Sequence, residues 1–185
     1  MTESAEEDLK YQPGDWIVHC HHGVGQIKAA ELMRMSGKET TYYRIDMINS
    51  TIWIPIDQMD DGQLRPISES SEFLTSLELL KGEPRELDAN INIRNNQIKE
   101  IIVENTPSGT AQLVRDLWAR EHKKGNLNES ERRAYRTLSD RLTQEWSLCT
   151  DIDIDKAREQ LDRKLRFGDE VETDQVTSDE QELPA

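Results

Sequence analysis

Near residue 67 the spacing of apolar residues changes period, and that change divides the chain before anything else about it is known. From Asp15 to about Ile67, Ile, Val, Tyr and Trp come in short alternating runs broken by glycine and polar pairs, the pattern of half-buried strands. The runs are Asp15 to Cys20, Gly25 to Met35, Thr40 to Ile48 and Thr51 to Ile56, with turn signals at His22-Gly23, Ser36-Gly37-Lys38 and Asn49-Ser50. In the last run, alternation puts Ile52, Ile54 and Ile56 on one face and Trp53 on the other. Pro55 has no N–H to give a ladder, so that strand lies at an edge or is nearly finished there. Four or five such strands predict a small, strongly bent antiparallel barrel of the SH3 or Tudor kind.

After Ser68 the period is helical. Phe73, Leu74, Leu77 and Leu80 mark a helix over Glu72 to Leu80, and Ile98, Ile101 and Ile102 another over Asn92 to Val103. Pro107-Ser108-Gly109 breaks the chain, and Ser108 or Thr110 caps a third helix bearing Leu113, Val114, Leu117 and Trp118, which stops near Gly125. Asn128-Glu129-Ser130-Glu131 reads as a cap with an acid at its third helical position, opening a long helix through Leu138, Leu142 and Trp146. A last helix is expected over Asp153 to Arg166. The fold class is therefore α+β: a Tudor-like or SH3-like antiparallel β-barrel over residues 11–67, then an α-helical bundle over 68–167. Residues 1–10 and the acidic stretch 168–185 are expected to be disordered.

Charge narrows the function classes. The chain has a formal net charge of -14, but unevenly: residues 81–168 hold seventeen bases and sixteen acids, and residues 169–185 hold no base and seven acids. A chain this acidic is repelled by nucleic-acid phosphates at long range, so contact with DNA requires a local basic face. One is available in the helical half, where Arg115, Arg120, Lys123 and Lys124 precede Arg132, Arg133, Arg136 and Arg141, with acids interleaved that can pair with them. The apolar runs are too short to span a bilayer and the first residues do not read as a signal peptide, so a cytoplasmic protein without a membrane partner is expected. Cys20 and Cys149 have neither disulfide-framework nor zinc spacing. In His19-Cys20-His21-His22, consecutive side chains on a strand face opposite ways, so packing and turn formation are expected there in place of a metal site. There is no GxSxG, HExxH or P-loop, and the expectation is a protein that is not an enzyme, with no cofactor and no small-molecule ligand.

Several motifs together resemble a known family. Gly14-Asp15, Val18, His22-Gly23-Val24-Gly25-Gln26-Ile27, Tyr43-Arg44-Ile45, Ile54-Pro55 and Leu64-Arg65-Pro66 are similar, in order and spacing, to the RNA polymerase-interacting domain shared by CarD, CdnL and the transcription-repair coupling factor. Leu113-Val114-Arg115-Asp116-Leu117-Trp118 and Leu127 to Arg133 resemble the helical domain of CarD-type proteins. The resemblance spans roughly residues 11–166. It implies a bacterial transcription regulator whose first domain docks on the RNA polymerase β subunit and whose second reaches promoter DNA. Carried over by position, the polymerase-binding residues are Met33, Arg34, Trp53, Ile54 and Pro55.

On the DNA side the candidates are Arg94, Lys99, Arg120, Lys123, Lys124, Arg132 and Arg133. Family members insert a tryptophan wedge at the start of the first long helix, where this chain has Ala89-Asn90-Ile91-Asn92-Ile93-Arg94. The resemblance therefore implies a weakened DNA contact, with Ile91 or Ile93 as a smaller wedge or as packing residues. Trp118 lies on an apolar stripe and is expected in the core. The alternative reading is a protein-interaction adaptor with the same fold that does not contact DNA.

Overall fold

The computed structural model describes residues 9–179 apart from 36, 60, 61 and 126. The remaining expectations for residues 1–8 and 180–185, and Ser36 of the expected hairpin turn, lie outside the described residues. The chain forms two compact units, Met1–Ile67 and Ser68–Ala185, so the change of period marks the boundary.

The first unit is a five-stranded antiparallel sheet in the order β4-β3-β2-β1-β5, with β1 Trp16–His19, β2 Gly23–Met35, β3 Lys38–Met47, β4 Thr51–Pro55 and β5 Leu64–Pro66. Tyr11, Ile17, Ile27, Tyr43, Ile45, Met47, Ile54 and Leu64 form one buried cluster. Both edge strands, β4 and β5, send a residue into it, so the sheet curls round a single core, as the Tudor-like reading requires. A register shift between Ile27 and Ala29 supplies part of the bend. Tyr11 closes one end: its hydroxyl donates to the Leu64 carbonyl at 2.9 Å and its N–H donates to the Tyr43 hydroxyl at 3.0 Å. Gly25 is needed where β2 meets β3, because a Cβ there would run into Met47 Sδ and lie 3.0 Å from the Asp46 carbonyl.

The second unit holds α1 Ser70–Leu77, α2 Ile91–Glu104, α3 Pro107–Lys124, α4 Glu129–Thr150 and α5 Ile154–Asp179. Phe73, Leu77, Leu80, Leu113, Val114, Leu117, Leu138, Leu142, Trp146, Leu161 and Leu165 build its core, and Trp118 is buried among them. The expected cap of α4 is present as a full capping box: Asn128 Oδ1 accepts from the Glu131 N–H at 3.0 Å, and Glu131 Oε2 accepts from the Asn128 N–H at 2.9 Å. Gly125 ends α3 in the left-handed conformation, φ 63°, its N–H bonded to the Glu121 carbonyl.

Two boundaries differ from expectation. Pro107 does not break the chain but begins α3, since its missing N–H is one a first turn does not use; the cap is Thr106, whose Oγ1 accepts from the Gly109 N–H at 3.1 Å. Helix α5 does not stop at Arg166 but runs on to Asp179. No proline follows Arg166 in the helix, and a single glycine, Gly168, costs only about 1 kcal/mol there.

Candidate interaction surfaces

The sheet presents one face outward, and the register states which residues share it. Arg44 lies opposite both Ala29 and Trp53, Tyr42 opposite Glu31 and Pro55, and Met33 opposite Thr40. Alternation therefore gathers Met33, Glu31, Tyr42, Arg44, Trp53 and Pro55 on one side, with Tyr43, Ile45 and Ile54 on the other. Trp53 is 45% exposed, which settles it as a surface aromatic and not a core one. Beside it Arg44 Nε lies 3.2 Å from Glu31 Oε1. Two of the expected docking residues do not join this face. Ile54 is in the core at 5% exposure, because a strand neighbour of an outward Trp53 must point inward. Arg34 is exposed, but on the opposite side of the β2–β3 hairpin from Met33. Tyr42 and the Arg44–Glu31 pair went unnoticed in sequence; only the pairing of β2 with β3 places them beside Trp53.

His19 is buried, and its Nδ1 accepts from the N–H groups of His21, at 3.0 Å, and His22, at 3.3 Å. This histidine shapes the turn after β1. Among the described residues no three His, Cys, Asp or Glu are grouped so as to hold a metal ion.

The helical unit sorts its cations into two classes. Arg94, expected among the DNA-facing residues, is turned into the interior: it is 5% exposed, its Nε is ion-paired with Glu131, and its Nη1 donates to the carbonyls of Asp88 and Ala89. Glu131 also draws Arg120, whose Nε stands 3.7 Å from Oε2 with only 19% of its side chain exposed. One carboxylate thus caps α4 and gathers arginines from α2 and α3. Arg115 donates to the Gly82 and Leu165 carbonyls, both at 2.9 Å, and Arg141 donates to Thr110 Oγ1; both are buried. Each charge is turned inward because it sits on an apolar stripe with backbone or hydroxyl acceptors facing it.

The cations left at the surface are Lys99, Lys123, Arg132 and Arg133 among the expected set. Arg132 Nε lies 3.8 Å from Glu121 Oε1, whereas Lys99 and Arg133 have no ion-pair partner among the described residues. The side chain of Lys124 lies outside the described residues. Lys123 and Arg120 line a cleft of about 190 Å³ with Arg85, Leu87 and Asp116, where Asp116 accepts from the Arg85 N–H at 2.8 Å and its Nε at 3.1 Å. Trp118 stacks on His122 with ring centroids 4.0 Å apart. Ile91 and Ile93, at the start of α2, are 49% and 47% exposed and do not pack as core residues. No helix among the described residues is long and apolar enough to cross a membrane.

Two family models match the chain, one for the CarD-like/TRCF RID domain over residues 11–68 and one for the CarD C-terminal domain over residues 75–162. Transcription-repair-coupling factors of Staphylococcus epidermidis and Staphylococcus aureus are each 34% identical over 70 residues, which is 36% of this chain. The matched stretch covers only 6% of those relatives.

Proposed function

The chain belongs to the CarD family, and from that premise we propose that it docks on the β subunit of RNA polymerase through the outward face of its sheet and modulates initiation at promoters. On this reading it is an RNA polymerase-interacting transcription factor. The observation that carries the docking face is Trp53, an aromatic 45% exposed beside Tyr42 and Pro55, on the face that Met33 shares further along the sheet. Interfaces concentrate their free energy in such anchors, about 2 kcal/mol or more each. Binding of the full chain to an isolated β-lobe fragment tests it. Trp53→Ala is expected to weaken binding at least tenfold, and Arg34→Glu, on the other side of the hairpin, to change it little. Full affinity in Trp53→Ala sinks this docking face.

The helical unit then meets promoter DNA with Lys99, Lys123, Arg132 and Arg133, while Ile91 and Ile93 stand where family members carry a wedge tryptophan. Tethering on polymerase raises the local concentration of DNA, so a weak phosphate-binding surface suffices despite a net charge of -14. One observation favours the adaptor alternative, in which DNA is not touched: Arg94, Arg115 and Arg141 are buried, leaving fewer surface cations than the sequence counts. The lifetime of the open promoter complex, with and without the protein, separates the two. Lengthening refutes the adaptor reading, and an unchanged lifetime refutes the DNA reading.

A further inference from the structure

The residues on either side of the boundary are each held within their own unit. In the sheet unit, the Ile67 N–H donates to the Trp16 carbonyl at 3.2 Å. In the helical unit Ser68, the very next residue, is held at three atoms by α4. Glu145 Oε1 accepts from the Ser68 N–H at 3.0 Å and from its hydroxyl at 2.9 Å. One turn further along, the Cys149 thiol donates to the Ser68 carbonyl at 3.1 Å. Hydrogen bonds to an ionised carboxylate are about twice as strong as neutral ones. The capping box of α4 and its Leu138, Leu142 and Trp146 stripe do not involve these bonds. What they do is deny freedom to Ser68 and Glu69, the residues that separate the sheet unit from the start of α1 at Ser70.

We infer that Ser68, Glu145 and Cys149 form a clasp that fixes where the chain leaves the helical unit. Resting on the function proposed above, they are positioning residues: they hold the first residue of the helical unit against α4, so the DNA-facing helices are tethered from a fixed point of their own unit. For tethered modules the second binding event is governed by effective concentration, which falls as the joint between them gains freedom.

The test uses the full chain and two pairs of variants. Glu145→Ala and Cys149→Ala remove the acceptor and the donor, whereas Glu145→Gln and Cys149→Ser keep an oxygen acceptor and a hydroxyl donor in place. The first readout is hydrogen exchange at the Ser68 amide, expected to be at least tenfold faster in Glu145→Ala than in wild type and largely restored in Glu145→Gln. A wild-type Ser68 amide that exchanges like an open chain overturns the clasp, whatever the protein does to a promoter. The second is open-complex lifetime: Glu145→Ala is expected to lose severalfold of the lengthening, with affinities for the isolated β lobe and for DNA each within twofold of wild type. Full lengthening despite a freed amide, or a loss matched by weaker binding to either partner alone, overturns the positioning role. If wild type gives no lengthening, the function proposed above fails while amide exchange still decides the clasp. Should Glu145→Ala unfold the helical unit, Cys149→Ala and Cys149→Ser supply the lifetime comparison, since the thiol holds the Ser68 carbonyl, and the wild-type amide exchange still decides the clasp.

Discussion

Replacing Arg94 by alanine separates the role its burial implies from the role its charge suggests. Its side chain is 6% exposed and that of Glu131 is fully buried, so Arg94→Ala leaves a carboxylate in the interior with Arg120 Nε at 3.7 Å and the Asn128 N–H at 2.9 Å as its remaining support. Breaking one side of a buried ion pair costs about 3–5 kcal/mol. In a unit the size of Ser68–Ala185, each kcal/mol moves the midpoint by about 3–5 °C, so the helical transition should fall by roughly 10–20 °C. Differential scanning calorimetry, with helix melting followed by circular dichroism, reads this directly. Lys99→Ala is the control: exposed, it should cost under about 0.5 kcal/mol, but should flatten the dependence of DNA affinity on log salt by about 0.9 if it meets a phosphate. An Arg94→Ala protein that melts like wild type and shows the flattened salt dependence would refute the assignment of Arg94 to the interior.

Three further outcomes follow from the geometry. Ile91→Ser with Ile93→Ser removes two half-exposed side chains; melting should hardly change, but if they pack on promoter DNA, about 1 kcal/mol lost from each shortens the open complex by roughly 5- to 30-fold. Hydrogen bonds from Lys164 and then Lys81 lower the Glu78 carboxyl from 4.5 to about 2, so its stabilisation is whole above pH 4.5 and fades as pH falls toward 2. The pair is largely solvated, so the stability gap between wild type and Glu78→Gln in urea should be under about 1 kcal/mol at pH 7 and should narrow by pH 3. Tyr11→Phe strips the donor from the buried Leu64 carbonyl and should cost the sheet unit about 1–2 kcal/mol by urea denaturation.

The elements were legible in the sequence because local signals agreed with packing: period, the Asn128 and Glu131 cap, and Gly125 at a helix end. The inward direction of Arg94, Arg115 and Arg141 is less legible, although a trace of it is there. Stepping back one turn along the stripe of Ile98, Ile101 and Ile102 lands on Arg94, and Arg141 lies between Leu138 and Leu142 on theirs. A charge on an apolar stripe is an inward charge awaiting an acceptor, and the acceptors, Glu131 and Thr110, lie 37 and 31 residues away. Such distances carry no periodic signal. Similarly, alternation alone already separated Ile54 from Trp53, so naming both as docking residues asked one strand to face two ways. The grouping of Tyr42 with Trp53 needed the strand register, which a chain met alone does not disclose.

The close approach of Gly25 and Met47 is a point at which oxidation would disturb the sheet. Met47 is 8% exposed, and its sulfur sits where even a methyl group on Gly25 would not fit. Oxidation to the sulfoxide would add a polar oxygen to this tightly packed site, on the seam between β2 and β3. A single oxidised thioether would therefore pry at the pairing that carries Trp53 and Met33 on a common face, and reductive repair of that sulfur would restore it.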